Sequence, residues 1–157
     1  MTGAVEAWCL KTGMDQSIAI PIDYMREYVI SPSLVYIPSA PDYCNTMCLW
    51  QNLVIPIMDL GILAGNPEST STAGIVIISY YEKEKTNSVI KHSGFNVYAP
   101  PTKLLIHNQE LVDLPDDYNS TLLPTVTSCF EHNGQLIYVH NIAHLFSRVL
   151  RESVIAA

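Results

Sequence analysis

Charge is scarce in this chain. Only 15% of its 157 residues are Asp, Glu, Lys or Arg, against about a quarter in an ordinary globular protein. Cations are the rarest of these: 8 Lys and Arg stand against 15 Asp and Glu, a net charge of -7. Gripping a phosphate backbone takes clustered cations, so no nucleic-acid partner is expected, and an anionic membrane surface is disfavoured on the same ground. Long apolar runs are lacking too. Asp59 interrupts the best stretch, Leu53 to Ala64, well short of the roughly 20 residues a spanning helix needs, so direct membrane insertion is not expected. The opening Met-Thr-Gly-Ala-Val-Glu lacks the basic and apolar regions of a secretory signal, which makes the expected localisation cytoplasmic. There is no GxGxxG, no GxxxxGK[ST], no GxSxG and no HExxH, so the common local signatures of nucleotide, hydrolase and zinc-protease chemistry are missing.

Apolar residues, prolines and tyrosines are what the chain does have. Hydrophobic residues make up 48%, too many for disorder, and the length suits one domain or two interlocked subdomains. With so little charge to cover it, much of the surface must be neutral or apolar, as on a protein that meets partners. The four cysteines, Cys9, Cys44, Cys48 and Cys129, are expected to be reduced thiols in a cytoplasmic chain.

The ten prolines cut the sequence into short runs of β-formers. Val5 to Leu10 and Ser17 to Ile22 read as a first hairpin, and Asp23 as the cap of a helical turn from Tyr24 to Glu27. Val54 to Leu60 contains Pro56, which donates no amide hydrogen, so this segment is expected at an edge, a bulge or a barrel corner. Ala73 to Tyr81 is nearly continuous β-branched and aromatic sequence, the pattern of a strand buried on both faces, and Ser88 to Tyr98 is its expected antiparallel partner. Asn133-Gly134 between Thr121 to Phe130 and Gln135 to Val139 predicts a tight hairpin. Only the end of the chain has helical periodicity: Asn141 is a good cap, and Ile142, Leu145, Phe146, Val149 and Leu150 recur on one face. Short strands at roughly eight- to twelve-residue spacing with one terminal helix predict an all-β barrel or paired barrels.

Three stretches, in order, resemble the chemotaxis coupling-protein (CheW-like) domain. They are Trp8-Cys9-Leu10 through Pro21 to Pro32, Ile37 to Pro41 followed by Val54 to Leu60, and Gly134 to Val139 running into the helix at Asn141. The resemblance covers nearly the whole chain and implies a single domain, 1–157, of two five-stranded SH3-like β-barrel subdomains that exchange strands around a shared core, with a C-terminal helix. It also implies a cofactor-free, non-catalytic role as an adaptor joining chemoreceptors to the regulatory domain of a histidine kinase. One departure stands out: where the family has Asn-Leu-Arg-Gly, this chain has Leu49-Trp50-Gln51-Asn52. A neutral Gln51 in the place of a forked, always-charged arginine changes partner choice more than fold, whereas Asn52 can still take the glycine's left-handed turn. The expected protein-binding residues are therefore Trp50, Gln51, Asn52, Leu53 and Ile55, and a charge at Leu53 or Ile55 is expected to weaken kinase binding without unfolding the chain.

The competing reading is a small zinc- or thiol-dependent enzyme. Cys44 and Cys48 form a CxxxC, His140 and His144 an HxxxH, and the four together could complete a tetrahedral shell. Cys129 and His132 flank the predicted hairpin, which turns them to opposite faces rather than into a nucleophile and base pair. Asp116-Asp117 reads as a solvated loop. Of the nine tyrosines and two tryptophans, Trp50, Tyr36, Tyr43 and Tyr98 are candidates either for an interface or for a barrel core.

Overall fold

A hairpin opens the chain: β1 (Ala4–Gly13) and β2 (Gln16–Pro21) pair antiparallel with Leu10 opposite Ile18 and Cys9 opposite Ala19. The structure is a computed structural model and describes residues 3–13, 16–64, 72–84, 86–116 and 123–147. Pro21 then holds its φ at -56° and the chain turns immediately, through a 3-10 turn at Ile22–Tyr24 that has no side-chain cap. The helical turn is thus earlier than Tyr24 to Glu27, and Asp23 does not cap it. Met25–Val29 is instead β3, recruited as a partner of β7, a case of tertiary pairing overriding local preference.

Two six-stranded sheets result. The first has the order β10-β11-β12-β2-β1-β9 and the second β3-β7-β8-β6-β5-β4, where β4 is Leu34–Tyr36, β5 Thr46–Trp50, β6 Leu53–Met58, β7 Gly74–Glu84, β8 Asn87–Val97, β9 Thr102–His107, β10 Leu111–Val112, β11 Val126–His132 and β12 Gln135–His140. The N-terminal hairpin thus lies in a sheet otherwise built from the C-terminal strands, so the two halves interlock. The expected all-β fold holds, and each sheet carries one strand more than the five expected, the extra being a short edge piece such as the two-residue β10. Asn133 and Gly134 turn with φ of 52° and 77°, as a two-residue hairpin loop requires.

Three apolar clusters hold the fold. The largest lies between the sheets and joins Leu10, Ile18 and Ile20 of the first to Val76, Ile78, Tyr80 and Phe95 of the second. Smaller clusters fill each sheet's own concave side: Ile55, Ile57, Ile75 and Ile77 in the second sheet, and Ala7, Ala19, Ile106 and Ile137 in the first. β7 shows why its sequence is apolar without a break from Ile75 to Ile78. Ile75 and Ile77 face one cluster, Val76 and Ile78 the other, and all four are at most 1% exposed; each such side chain contributes about 2 kcal/mol.

The terminal helix, described over 142–147 and labelled α2, presses Ile142, Leu145 and Phe146 into the shared cluster. Asn141 caps it by accepting from the His144 amide at 3.1 Å. The predicted continuation through Val149 and Leu150 lies outside the described residues, as do Asp117 and most of the loop after it.

Pro56 sits in an interior strand, since β6 runs between β8 and β5. The two-residue loop makes Trp50 and Leu53 a hydrogen-bonded pair, and strict alternation along the ladder makes Met47 and Pro56 a non-bonded one. The Leu49 amide confirms the phase by donating away from β6, to the Ser33 carbonyl at 3.0 Å. The donor Pro56 lacks would therefore face β8, and the β6–β8 pairing starts only at Ile57. Proline marks the end of the parallel ladder, which is the corner reading in a strand that is not an edge.

A candidate docking surface on the second sheet

The β5–β6 hairpin places the expected binding residues. Its two-residue loop is Gln51-Asn52, with φ of 48° and 63°. Both central residues are left-handed, which makes this a type I′ hairpin turn. Asn tolerates that region; Gln does not favour it, so the tip holds roughly 1 kcal/mol of backbone strain on an exposed residue. Gln51 consequently presents its side chain from a turn apex and not from a strand.

Period two sorts the rest. Leu49 and Val54 are directly opposite one another, point outward, and are 52% and 60% exposed. Met47, Pro56 and Val35 continue the same row, with Val35 opposite Met47 on β4. Five adjacent outward positions on three strands are apolar, and none carries a charge. Contiguous exposed apolar surface of this kind marks an interaction site more often than chance. Trp50 and Leu53 face the other way at the rim. The Trp50 ring packs on the inner isoleucine cluster, lies 5.9 Å from the His92 ring and donates its indole N–H to Glu27 at 3.4 Å, while Leu53 remains 42% exposed.

Ile55 does not belong to this surface. It is 1% exposed and packs with Ile57, Ile75 and Ile77 inside the second sheet. The alternation that brings Val54 out takes Ile55 in, so a charge at 55 strikes the core.

Nor does the structure bring the four metal candidates together. Cys44 ends a 3-10 turn at Asp42–Cys44, and Cys48 lies within β5. The Cys48 Sγ contacts the Leu49 carbonyl at 3.6 Å, and its pKa is pushed up by burial. His140 ends β12 in the opposite sheet, buried and within 2.8 Å of the Thr125 hydroxyl through Nδ1. Burial lowers its pKa from 6.5 to about 4. His144 is exposed on the helix. Among the described residues no three His, Cys, Asp or Glu side chains converge to hold a metal ion. Cys129 is buried in the shared core with its pKa raised by burial, whereas His132 turns outward to Glu110 at 2.6 Å. That carboxylate also accepts the His107 amide, and the two hydrogen bonds lower its pKa.

One buried polar centre escaped the sequence reading. Asp59, 3% exposed, caps the short helix α1 (Leu60–Leu63) by accepting from the Ile62 amide at 2.9 Å. It also accepts from the Tyr98 hydroxyl at 2.8 Å and the Asn96 amide group at 3.2 Å. An acid followed by a short apolar run is the cap signal that could have revealed it. Tyr98 thus has a structural role, Tyr43 packs on the shared core, and Tyr36 is 64% exposed on β4.

Two interlocked half-barrels with a shared core and an apolar outer row are the frame on which comparison can act. A protein-family model, the CheW-like domain, matches residues 8–150. The chain belongs to the CheW-like domain family. The scaffolding protein TtCheW from Thermoanaerobacter tengcongensis has a similar structure: TM-score 0.62 and 15% identity, over 92% of this CheW-like chain and 93% of that one. At that identity the likeness concerns the fold. No curated protein matches the chain in sequence. No helix among the described residues of this CheW-like chain is long and apolar enough to cross a membrane.

Proposed function

We propose that this chain is a non-catalytic adaptor in a chemosensory pathway, linking chemoreceptors to the regulatory domain of a histidine kinase in the cytoplasm. Membership of the CheW-like family supports the adaptor class. The observation that carries the docking proposal is the charge-free outer row of Val35, Met47, Leu49, Val54 and Pro56 beside a hairpin tip built from Trp50, Gln51, Asn52 and Leu53. Such a surface binds by burying apolar area and needs no bond making. A kinase domain with a barrel of similar construction offers a complementary sheet face. With Gln51 neutral, the tip supplies no charged anchor, so affinity rests on the apolar row and on Trp50, and specificity shifts away from acidic receptor surfaces. The metal reading has no comparable support, because Cys48 and His140 lie in different sheets, Cys44 in a 3-10 turn and His144 on the terminal helix, and the Cys48 thiol is buried.

Titration calorimetry against the regulatory domain of the kinase that co-purifies with the chain tests this. Val54→Asp and Leu53→Asp are expected to weaken binding about tenfold or more, while thermal unfolding changes little because both side chains are exposed. Ile55→Asp is expected to unfold the chain. Unchanged affinity for Val54→Asp and Leu53→Asp would remove the surface from consideration.

A further inference from the structure

The two concave interiors are filled unequally. The second sheet closes on four isoleucines and Cys48, whereas the equivalent cluster of the first sheet has alanine at two of its four buried positions, Ala7 and Ala19. Protein interiors are close-packed, so a pair of alanines where the sister unit has branched chains leaves room. The room is there: a cavity of about 470 Å³ opens at the mouth of the first sheet, between β1, β2, β9, β11 and β12. That volume lies within the range of small-molecule sites, which combine an apolar wall with a few polar groups. Its floor is Ala7, Ala19 and Ile106, and Phe130 forms a side wall. Asp23 supplies an exposed carboxylate at the rim, while the Glu6 side chain leaves the opposite face of β1 from Val5 and Ala7; among the described residues no Lys, Arg or His lines the cavity.

We propose that this mouth is a binding site for a small apolar molecule bearing one cationic amine, with the hydrocarbon body on the alanine floor and the ammonium group toward Asp23. The apolar floor selects for a body a few carbons long. The Asp23 carboxylate selects the head: it attracts an ammonium, leaves an alcohol to bind through its body alone, and repels a carboxylate. The site is on the other sheet from the docking row and does not depend on it.

Methyl NMR of the full chain, titrated separately with hexylammonium, hexanol and hexanoate, tests the assignment. Hexylammonium is expected to give saturable shifts at the Ala7, Ala19 and Ile106 methyls, hexanol weaker ones by roughly fivefold in affinity, and hexanoate none. The rim variant Asp23→Asn, at an exposed position, is expected to bring hexylammonium down to the affinity of hexanol. Ala19→Leu fills the floor and is expected to abolish saturable shifts with all three; should that variant fail to fold, the rim variant alone decides. Absence of saturable methyl shifts, hexanoate binding as well as hexylammonium, or an ammonium affinity indifferent to the rim substitution would each overturn the proposal.

Discussion

Neighbouring residues in this chain meet opposite fates because strand geometry alternates. Val54 and Ile55 are both β-branched and apolar, yet one is 60% exposed and the other 1%. A sequence reading locates the segment but cannot assign its phase when both faces of the strand are apolar, so the sequence expects Ile55 among the binding residues and the structure buries it. His140 was equally opaque. Its spacing to His144 suggests a ligand pair, while its environment is that of a buried neutral imidazole hydrogen-bonded to Thr125. Burial lowers its pKa from 6.5 to about 4, so between those values the unfolded chain takes up a proton that the folded chain refuses. Stability is therefore complete above pH 6.5 and declines as pH falls toward 4, by about 3 kcal/mol in total. Urea denaturation at pH 7 and pH 5 is expected to show most of this loss. His140→Asn, which keeps a polar nitrogen near Thr125, is expected to flatten the slope. Glu110, whose pKa is lowered from 4.5 by hydrogen bonds from the His107 amide and His132, loses its contribution as pH falls below 4.5, so the step from pH 7 to pH 5 is clear of it.

Elements were legible where local chemistry and tertiary pairing agree. The first hairpin, the Asn133-Gly134 turn, the long β7–β8 pair and the cap at Asn141 all carry their own signals: alternation, a left-handed dipeptide, continuous β-branching and an Asx cap. β4 and β3 do not. The first is three residues lodged among prolines, and the second follows a segment with helical capping signals; both are strands only because β5 and β7 supply partners. Phe146 lies 5.1 Å from the Phe95 ring and 5.7 Å from the Tyr80 ring, joining the terminal helix to β7 and β8. Phe146→Ala is expected to cost about 3 to 5 kcal/mol in chemical denaturation, and Asn141→Ala about 1 kcal/mol through loss of the cap.

The whole molecule is held as one unit by the cluster between the sheets. The second sheet is one contiguous stretch, from Met25 to Val97, but the first is assembled from the N-terminal hairpin and the C-terminal strands and cannot form until both ends of the chain meet. Each sheet carries one of the two tryptophans: Trp8 on β1, under the Lys103 ammonium at 5.3 Å, and Trp50 at the rim of the second. Trp8→Phe and Trp50→Phe variants thus report the two sheets separately by fluorescence. Their denaturation midpoints are expected to coincide once each variant's own stability change is allowed for by circular dichroism. Separate fluorescence and circular-dichroism transitions would show that the halves unfold independently.

Composition, turn chemistry and strand patterning determined by themselves that this chain is all-β and poor in charge, because those properties depend on side chains and their immediate neighbours. Which face each apolar residue meets, where Pro56 ends a ladder, how Asp59 gathers its donors, and the unequal filling of the two half-barrels were decided only in three dimensions. They depend on pairings between strands far apart in sequence, such as β12 with β2, and no local signal encodes which distant strand will arrive.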